Sequence, residues 1–237
     1  VKAVELALRK NTIAVTESEN GKEVLALMMI REIEKWRLKD KFQGKRLIAC
    51  LAPTVHLHLK EIKLYTELDV EGYYGARGVD DWNAITWEKE IEEHDVFIMT
   101  PQVMLDALRK AYIKLDLFCV VIIDECHEAT GNHPFAKILK EFYVKKLEGP
   151  KIFGITSSLA IRRSSSSENA KKERIAELES LLNSQVHIVE DSSGLEEVFS
   201  FPKLMYRFYD PVQPLNLVLK DKLEISWSRV SFGVQVN

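Results

Sequence analysis

Eight consecutive residues, Val120-Val121-Ile122-Ile123-Asp124-Glu125-Cys126-His127, carry the strongest chemical signal in the sequence. Four β-branched apolar residues deliver two adjacent carboxylates and a histidine to what reads as the end of a buried strand. Charges placed there are costly unless they bind a cation or find partners. In nucleotide hydrolysis such a pair divides the work. One acid holds Mg2+, usually through water, and the other orients or deprotonates the attacking water. An isolated Asp-Glu pair could equally be a polar turn in solvent. The complete tetrad of Asp124, Glu125, Cys126 and His127 after four apolar residues speaks for chemistry.

Such a strand end needs a scaffold, and the rest of the chain describes one. Short continuous apolar runs at 12–15, 47–51, 96–99, 119–123 and 151–155 read as strands buried on both faces. Between them, 24–38, 55–64, 102–110 and 134–146 place apolar residues three and four apart, the spacing of amphipathic helices. Strands alternating with helices predict right-handed crossovers and an α/β fold, a mostly parallel sheet with helices on both faces. Ligands of such sheets bind at the carboxyl ends of the strands. The serine-rich stretch 162–169 reads as a surface loop and 171–182 as a further helix. Strand-like alternation around 223–227 and 230–236 has no evident partner.

Composition narrows the class. The 237 residues carry 33 Lys and Arg against 36 Asp and Glu, a formal charge of −3, with 46% hydrophobic and 29% charged residues. That balance fits a globular protein, not a disordered tail, and excludes a strongly basic nucleic-acid sponge while leaving room for a local phosphate-binding groove. No apolar run approaches the roughly 20 residues of a membrane helix, and no charged-then-apolar leader supports secretion. Cys50, Cys119 and Cys126 are too few and too scattered for a disulfide framework or a four-ligand zinc site. Reduced core thiols are the expectation.

With Asp124-Glu125-Cys126-His127 in view, the chain resembles the superfamily 2 helicases, whose second motif is Asp-Glu-x-His or Asp-Glu-x-Asp. Around it, Tyr73-Tyr74-Gly75-Ala76-Arg77-Gly78-Val79-Asp80-Asp81-Trp82, Trp87-Glu88-Lys89-Glu90-Ile91 and Met99-Thr100-Pro101-Gln102 are similar to the helicase module of plant Dicer-like endoribonucleases. Ala129-Thr130-Gly131-Asn132-His133-Pro134 and Lys140-Glu141-Phe142-Tyr143 fit the same pattern, most similar to the third plant Dicer-like class. The resemblance implies a RecA-like P-loop NTPase lobe over residues 1–211, followed by a divergent tail at 212–237. By position, it makes Asp124 the Mg2+ holder, Glu125 the residue acting on water and His127 the sensor of the γ-phosphate. Thr156-Ser157-Ser158 stand where the family shows Thr-Ala-Ser, a motif linking hydrolysis to movement between lobes.

The family also has a phosphate cradle after its first strand, and here it departs from the pattern. The cradle demands inward backbone N–H groups, glycines that let the chain curl, a lysine for the β/γ-phosphates and a hydroxyl on Mg2+. In Thr16-Glu17-Ser18-Glu19-Asn20-Gly21-Lys22-Glu23, Gly21 and Lys22 meet that demand, with Asn20 and Glu23 beside them. Thr-Gly-x-Gly-Lys-Thr would place glycine at Glu19 and threonine at Glu23. Two unit charges about 4 Å apart repel by about 4 kcal/mol at an effective dielectric near 20. Half of that lowers nucleotide affinity around thirtyfold. Weak or absent ATP binding is the expectation.

Pro53 and Thr54 after the second strand, and Thr100 and Pro101 after the 96–99 strand, match the helicase loops that grip a nucleic-acid backbone. This suits recognition of double-stranded RNA by shape. The glutamines usual after the first of these loops are replaced by His56-Leu57-His58-Leu59-Lys60. No carboxylate or cysteine lies at ligand spacing from the two histidines, which speaks against a metal site. Trp82 and Trp87 read as packing residues and not as stacking platforms. The expected function is thus the first helicase lobe of a Dicer-like protein, using ATP and Mg2+ on double-stranded RNA in RNA silencing. By family resemblance it resides in the nucleus or cytoplasm. A second lobe and the RNase III domains do not fit in the remaining length, so a fragment, truncated product or partial gene model is expected. The alternative is a pseudo-ATPase acting as an RNA- or protein-interaction module. An enzyme of another superfamily sharing only the sheet is a third.

Overall fold

In the computed structural model, residues 2–16, 19–38, 47–143, 149–157 and 168–189 are described. The five apolar runs are strands: β1 (Thr12–Thr16), β2 (Leu47–Leu51), β4 (Val96–Met99), β5 (Phe118–Asp124) and β6 (Lys151–Ser157). With β3 (Val70–Tyr73) and β7 (Gln185–Ile188) they make a seven-stranded sheet of order β3-β4-β2-β5-β6-β1-β7, parallel at every pairing. The two strands not anticipated are its two edges. An edge strand needs no continuous apolar run: β3 contains Glu71 and Gly72, and β7 alternates polar with apolar.

Seven helices flank the strands among the described residues: α1 (Lys2–Arg9), α2 (Glu19–Leu38), α3 (Val55–Tyr65), α4 (Ala84–Glu93), α5 (Pro101–Arg109), α6 (Pro134–Ile138) and α7 (Glu168–Leu182). Helix starts follow local chemistry. Asn83 caps α4 by accepting from the Thr86 N–H at 3.0 Å, and prolines occupy the first turns of α5 and α6. Helix α6 runs on into a π-helical turn, Leu139–Tyr143. Two boundaries differ from expectation. Helix α2 begins at Glu19 and not near Val24, and α7 takes in Glu168 and Asn169 from the supposed serine-rich loop. Residues 158–167 and 190–237, including Ser158, the tail alternation and the 211/212 boundary, lie outside the described residues. Among the described residues, no helix is long and apolar enough to cross a membrane.

Side chains alternate across the sheet and divide its core in two. Ile13, Val15, Leu47, Leu51, Phe97, Met99, Val121 and Ile123 face one side, packed with residues of α4, α5, α6 and α7. Their strand neighbours Ala14, Ile48, Cys50, Ile98 and Ile122 are equally buried on the other side, where α1, α2 and α3 pack on one another. Tyr73, Trp82, Trp87 and Phe97 form one aromatic cluster with ring centroids 4.6–5.9 Å apart, so the two tryptophans are packing residues. Because every strand runs the same way, all seven carboxyl ends lie along one edge.

Gly154 shapes that edge. Cβ built on it would lie 3.0 Å from Cys126 Sγ, 3.2 Å from Cys126 Cβ and 2.9 Å from Leu182 Cδ2. The absent side chain lets the turn after β5 settle against β6. Gly154→Ala is expected to destabilise the fold by about 1–3 kcal/mol through overpacking. Urea unfolding at constant m-value measures it; an unchanged midpoint would show that the turn has slack.

Candidate functional site

Strand β6 lies between β1 and β5. A residue following β1 can therefore meet one following β5 only by reaching over the end of β6. Lys22, in the first turns of α2, does so. Its Nζ hydrogen-bonds and ion-pairs with Glu125 Oε1, 103 residues away, and lies 3.8 Å from Asp124 Oδ1. Lys22 is 4% exposed and Asp124 8%, so the attraction acts with little water between the charges.

The local backbone explains how both acids reach the crevice. Asp124 is the last residue of β5 and paired in register with Ile155. Glu125 then adopts φ +54° and ψ +41°, a left-handed conformation unfavourable by about 1–2 kcal/mol for a residue with a Cβ. That turn ends the strand and reverses the chain into Cys126–Glu128. Strain of this kind in a charged residue at a strand end points to a site. The Glu125 N–H donates to Asp124 Oδ1 at 2.9 Å, so the strained turn also orients its neighbour.

His127 faces β6. Its Nδ1 lies 2.9 Å from Thr156 Oγ1 and 3.3 Å from Glu125 Oε2. The Thr156 contact has hydrogen-bond geometry. Glu125 Oε2 is sealed from solvent and accepts no well-formed hydrogen bond among the described residues. Arg174 of α7 donates to the His127 carbonyl at 3.4 Å. Glu125 has its carboxyl held down to about 2, first by His127 and then by Lys22, against the opposing effect of burial. The buried thiols of Cys50 and Cys126 are pushed up, by burial first and the neighbouring Asp124 second, and are inert.

The structure thus brings together Lys22, Asp124, Glu125, His127 and Thr156, with Ser157 buried beside them and Gly21 buried in the same helical turn as Lys22. Asn20 and Glu23 also belong to α2, so the supposed loop from 19 to 23 is helical. The Asn20 side chain lies outside the described residues. Glu23 acts on α3: Glu61 has its carboxyl pushed up by burial first and by Glu23 second, with His58 opposing.

Pro53, Thr54, Thr100 and Pro101 form a separate group on the same edge. Leu51 and Met99 are in register, so the two turns that follow them are neighbours. Pro53 and Thr54 are exposed and Thr100 half-buried, each threonine preceding a helix N-terminus. Pro101 is buried and packs instead of presenting a surface.

Sequence reasoning missed His58. Its Nε2 lies 3.1 Å from Asp124 Oδ2, and the residue is 5% exposed. The carboxylate partner is 66 residues away, invisible to ligand spacing along the chain. A signal existed nonetheless: Val55, His58 and Ile62 share one buried face of α3, so a polar ring sits in an apolar stripe.

Comparison with known proteins gives concordant results. Residues 1–163 match the DEAD/DEAH box helicase family. The chain is 41% identical over 230 residues to Endoribonuclease Dicer homolog 3 of Arabidopsis thaliana, covering 95% of this chain and 14% of that protein. It is 36% identical over 235 residues to Endoribonuclease Dicer homolog 2 of the same plant, covering 94% of this chain and 17% of that protein. The chain therefore spans about a seventh of the length of the first of these relatives. Among solved structures, the helicase domain of Hef from Pyrococcus furiosus superposes with a TM-score of 0.59 at 22% identity, covering 79% of this chain and 37% of that one. That likeness establishes a RecA-like lobe as the fold.

The acid response of the site follows from Glu125. Its carboxyl lies below the ordinary 4.5 in the fold, so its stabilising effect is full above about 4.5 and lost as pH falls through about 2. Glu125→Gln removes the nearer of the two carboxylates beside Lys22 and is expected to be less stable near neutrality. Urea midpoints of the two proteins, followed from about pH 6 to about pH 2.5, are expected to converge toward the acid limit. A constant gap would show that Glu125 is not the group responsible.

Proposed function

The chain belongs to the DEAD/DEAH box helicase family, and we propose that it is the first, nucleotide-binding lobe of a Dicer-like helicase module that uses ATP and Mg2+ while acting on double-stranded RNA in RNA silencing. One observation carries this reading: Lys22 and the Asp124/Glu125 pair converge at the carboxyl edge, across β6, with both acids within 4 Å of one ammonium group. A cation and two acids so placed are the parts that phosphoryl transfer needs. The donor set also fits the metal. Asp124 and Glu125 offer hard carboxylate oxygens, and Glu125 Oε2 is buried with a lone pair to spare. Mg2+, when bound, neutralises charge on the phosphates; Asp124 is the residue to hold it, with Glu125 beside it.

The remaining roles belong to the chain itself. Lys22 must exchange its Glu125 partner for a phosphate oxygen, which frees the Glu125 carboxylate to accept a proton from, or orient, a water molecule. That carboxylate is ionised at neutral pH, and losing Lys22, which with His127 holds its carboxyl down, makes it a better proton acceptor. His127, bonded to Thr156, carries changes at Glu125 into β6 and toward Ser157. Thr54 and Thr100 present hydroxyls and helix N-termini for backbone phosphates, without reading bases. The second lobe and the nuclease activity belong to the whole protein of which the relatives are examples. Closure around the nucleotide needs that second lobe.

A second reading, the pseudo-ATPase module, is favoured by Glu19 and Glu23. Helical N–H groups and the positive end of the α2 dipole are the features that attract phosphate. Here one acid, Glu19, opens the helix and a second, Glu23, follows one turn on. Titration with a fluorescent ATP analogue, with and without Mg2+, separates the readings. Micromolar, Mg2+-dependent binding lost in Lys22→Ala supports the ATP-using lobe; binding indifferent to Lys22 and Mg2+ supports the other. The double variant Glu19→Gly/Glu23→Thr is expected to bind nucleotide around thirtyfold more tightly than the wild-type chain.

A further inference from the structure

We infer that His58 is a positioning residue for the Asp124 carboxylate, holding it in the orientation that receives a divalent metal; this rests on the reading of Asp124 as the metal-holding acid. The geometry is a clamp. Asp124 Oδ1 accepts from the Glu125 N–H at 2.9 Å, and Oδ2 faces His58 Nε2 at 3.1 Å. One donor is local and the other comes from a helix that packs on the face of the sheet, so the carboxylate is held from two independent directions. Rotation about its last side-chain torsion breaks at least one bond.

The chemistry fixes the direction of the second bond. An ionised carboxylate only accepts, so the imidazole nitrogen facing it carries the hydrogen. Burial strengthens the requirement. The His58 side chain is 6% exposed between Val55 and Ile62 of the apolar face of α3, where an unpartnered ring nitrogen would be costly. Asp124 thereby has one lone pair per oxygen engaged and others left for the crevice where Lys22 sits 3.8 Å away. Hydrogen-bond partners of ligating carboxylates set the direction of those lone pairs, and losing one typically lowers metal affinity 10–100-fold.

The test uses the full 237-residue chain with Mn2+ as the spectroscopic substitute for Mg2+ and ADP present. Loss of the free Mn2+ electron paramagnetic resonance signal gives the affinity, independent of hydrolysis. His58→Leu, verified as folded by circular dichroism and thermal melting, is expected to weaken Mn2+ binding 10–100-fold. His58→Gln, whose amide keeps an N–H at similar reach, is expected to recover affinity to within about threefold of wild type. Wild-type affinity in His58→Leu, or equal loss in the Leu and Gln variants, overturns the inference. Asp124→Asn separates the two claims. If it abolishes Mn2+ binding while His58→Leu does not, only the role of His58 fails. If Asp124→Asn binds like wild type, or the wild-type chain binds no Mn2+, the metal-holding role of Asp124 fails and takes His58 with it. Should His58→Leu not fold, the His58 ring 15N shifts in the wild-type chain decide. A protonated Nε2 whose shift moves on Mn2+-free Mg2+ addition supports the clamp, and a protonated Nδ1 with bare Nε2 overturns it.

Discussion

The attraction between the Lys22 ammonium and the Glu125 carboxylate organises this edge of the molecule. Each partner sits where its burial would be unfavourable alone, and each relieves the other. The pair also bridges two strands that are not neighbours, passing over the end of β6. Whatever holds β1, β6 and β5 in register therefore holds the two charges within reach. Parallel pairing supplies that register, with Val15 beside Thr156 and Asp124 beside Ile155.

Stability of the sheet and strain at the site oppose each other in a small volume. The strands bury apolar side chains on both faces, and that burial can sustain a left-handed Glu125 and a cluster of ionised groups at its rim. Gly154 takes part by leaving room for Cys126, so the turn bearing Glu125 and His127 lies close against β6. His127 and Thr156 consequently touch, so the turn after β5 contacts a hydroxyl of β6. The same closeness pairs the charged groups of the site with one another, while Glu125 Oε2 is left without a well-formed hydrogen bond among the described residues. Lys22 and His58 each neutralise or bind an acid, and an incoming phosphate competes with bonds already made.

The start of α2 carries acids beside the buried lysine. A helix N-terminus and a buried lysine are attractive to an anion. Glu19 opens that helix and Glu23 follows one turn on, and the Glu61 carboxyl of α3 is pushed up by burial first and by Glu23 second.

The amino-acid sequence alone determined the five interior strands, because a strand covered on both faces must be apolar at every position and so leaves a continuous run. It also determined the acidic strand end, since Asp124, Glu125 and His127 are contiguous. The edge strands β3 and β7 were not legible, for an edge tolerates Glu71, Gly72 or an alternating pattern. Nor was the start of α2, where Gly21 and the flanking acids mimic a loop by composition while the helix gains backbone bonds by extending to Glu19. Only tertiary structure decided the partners. Lys22 meets Glu125 across 103 residues and His58 meets Asp124 across 66, distances at which spacing along the chain carries no information. Those encounters are fixed by strand order and by the face on which each helix lands, and both arise from long-range packing.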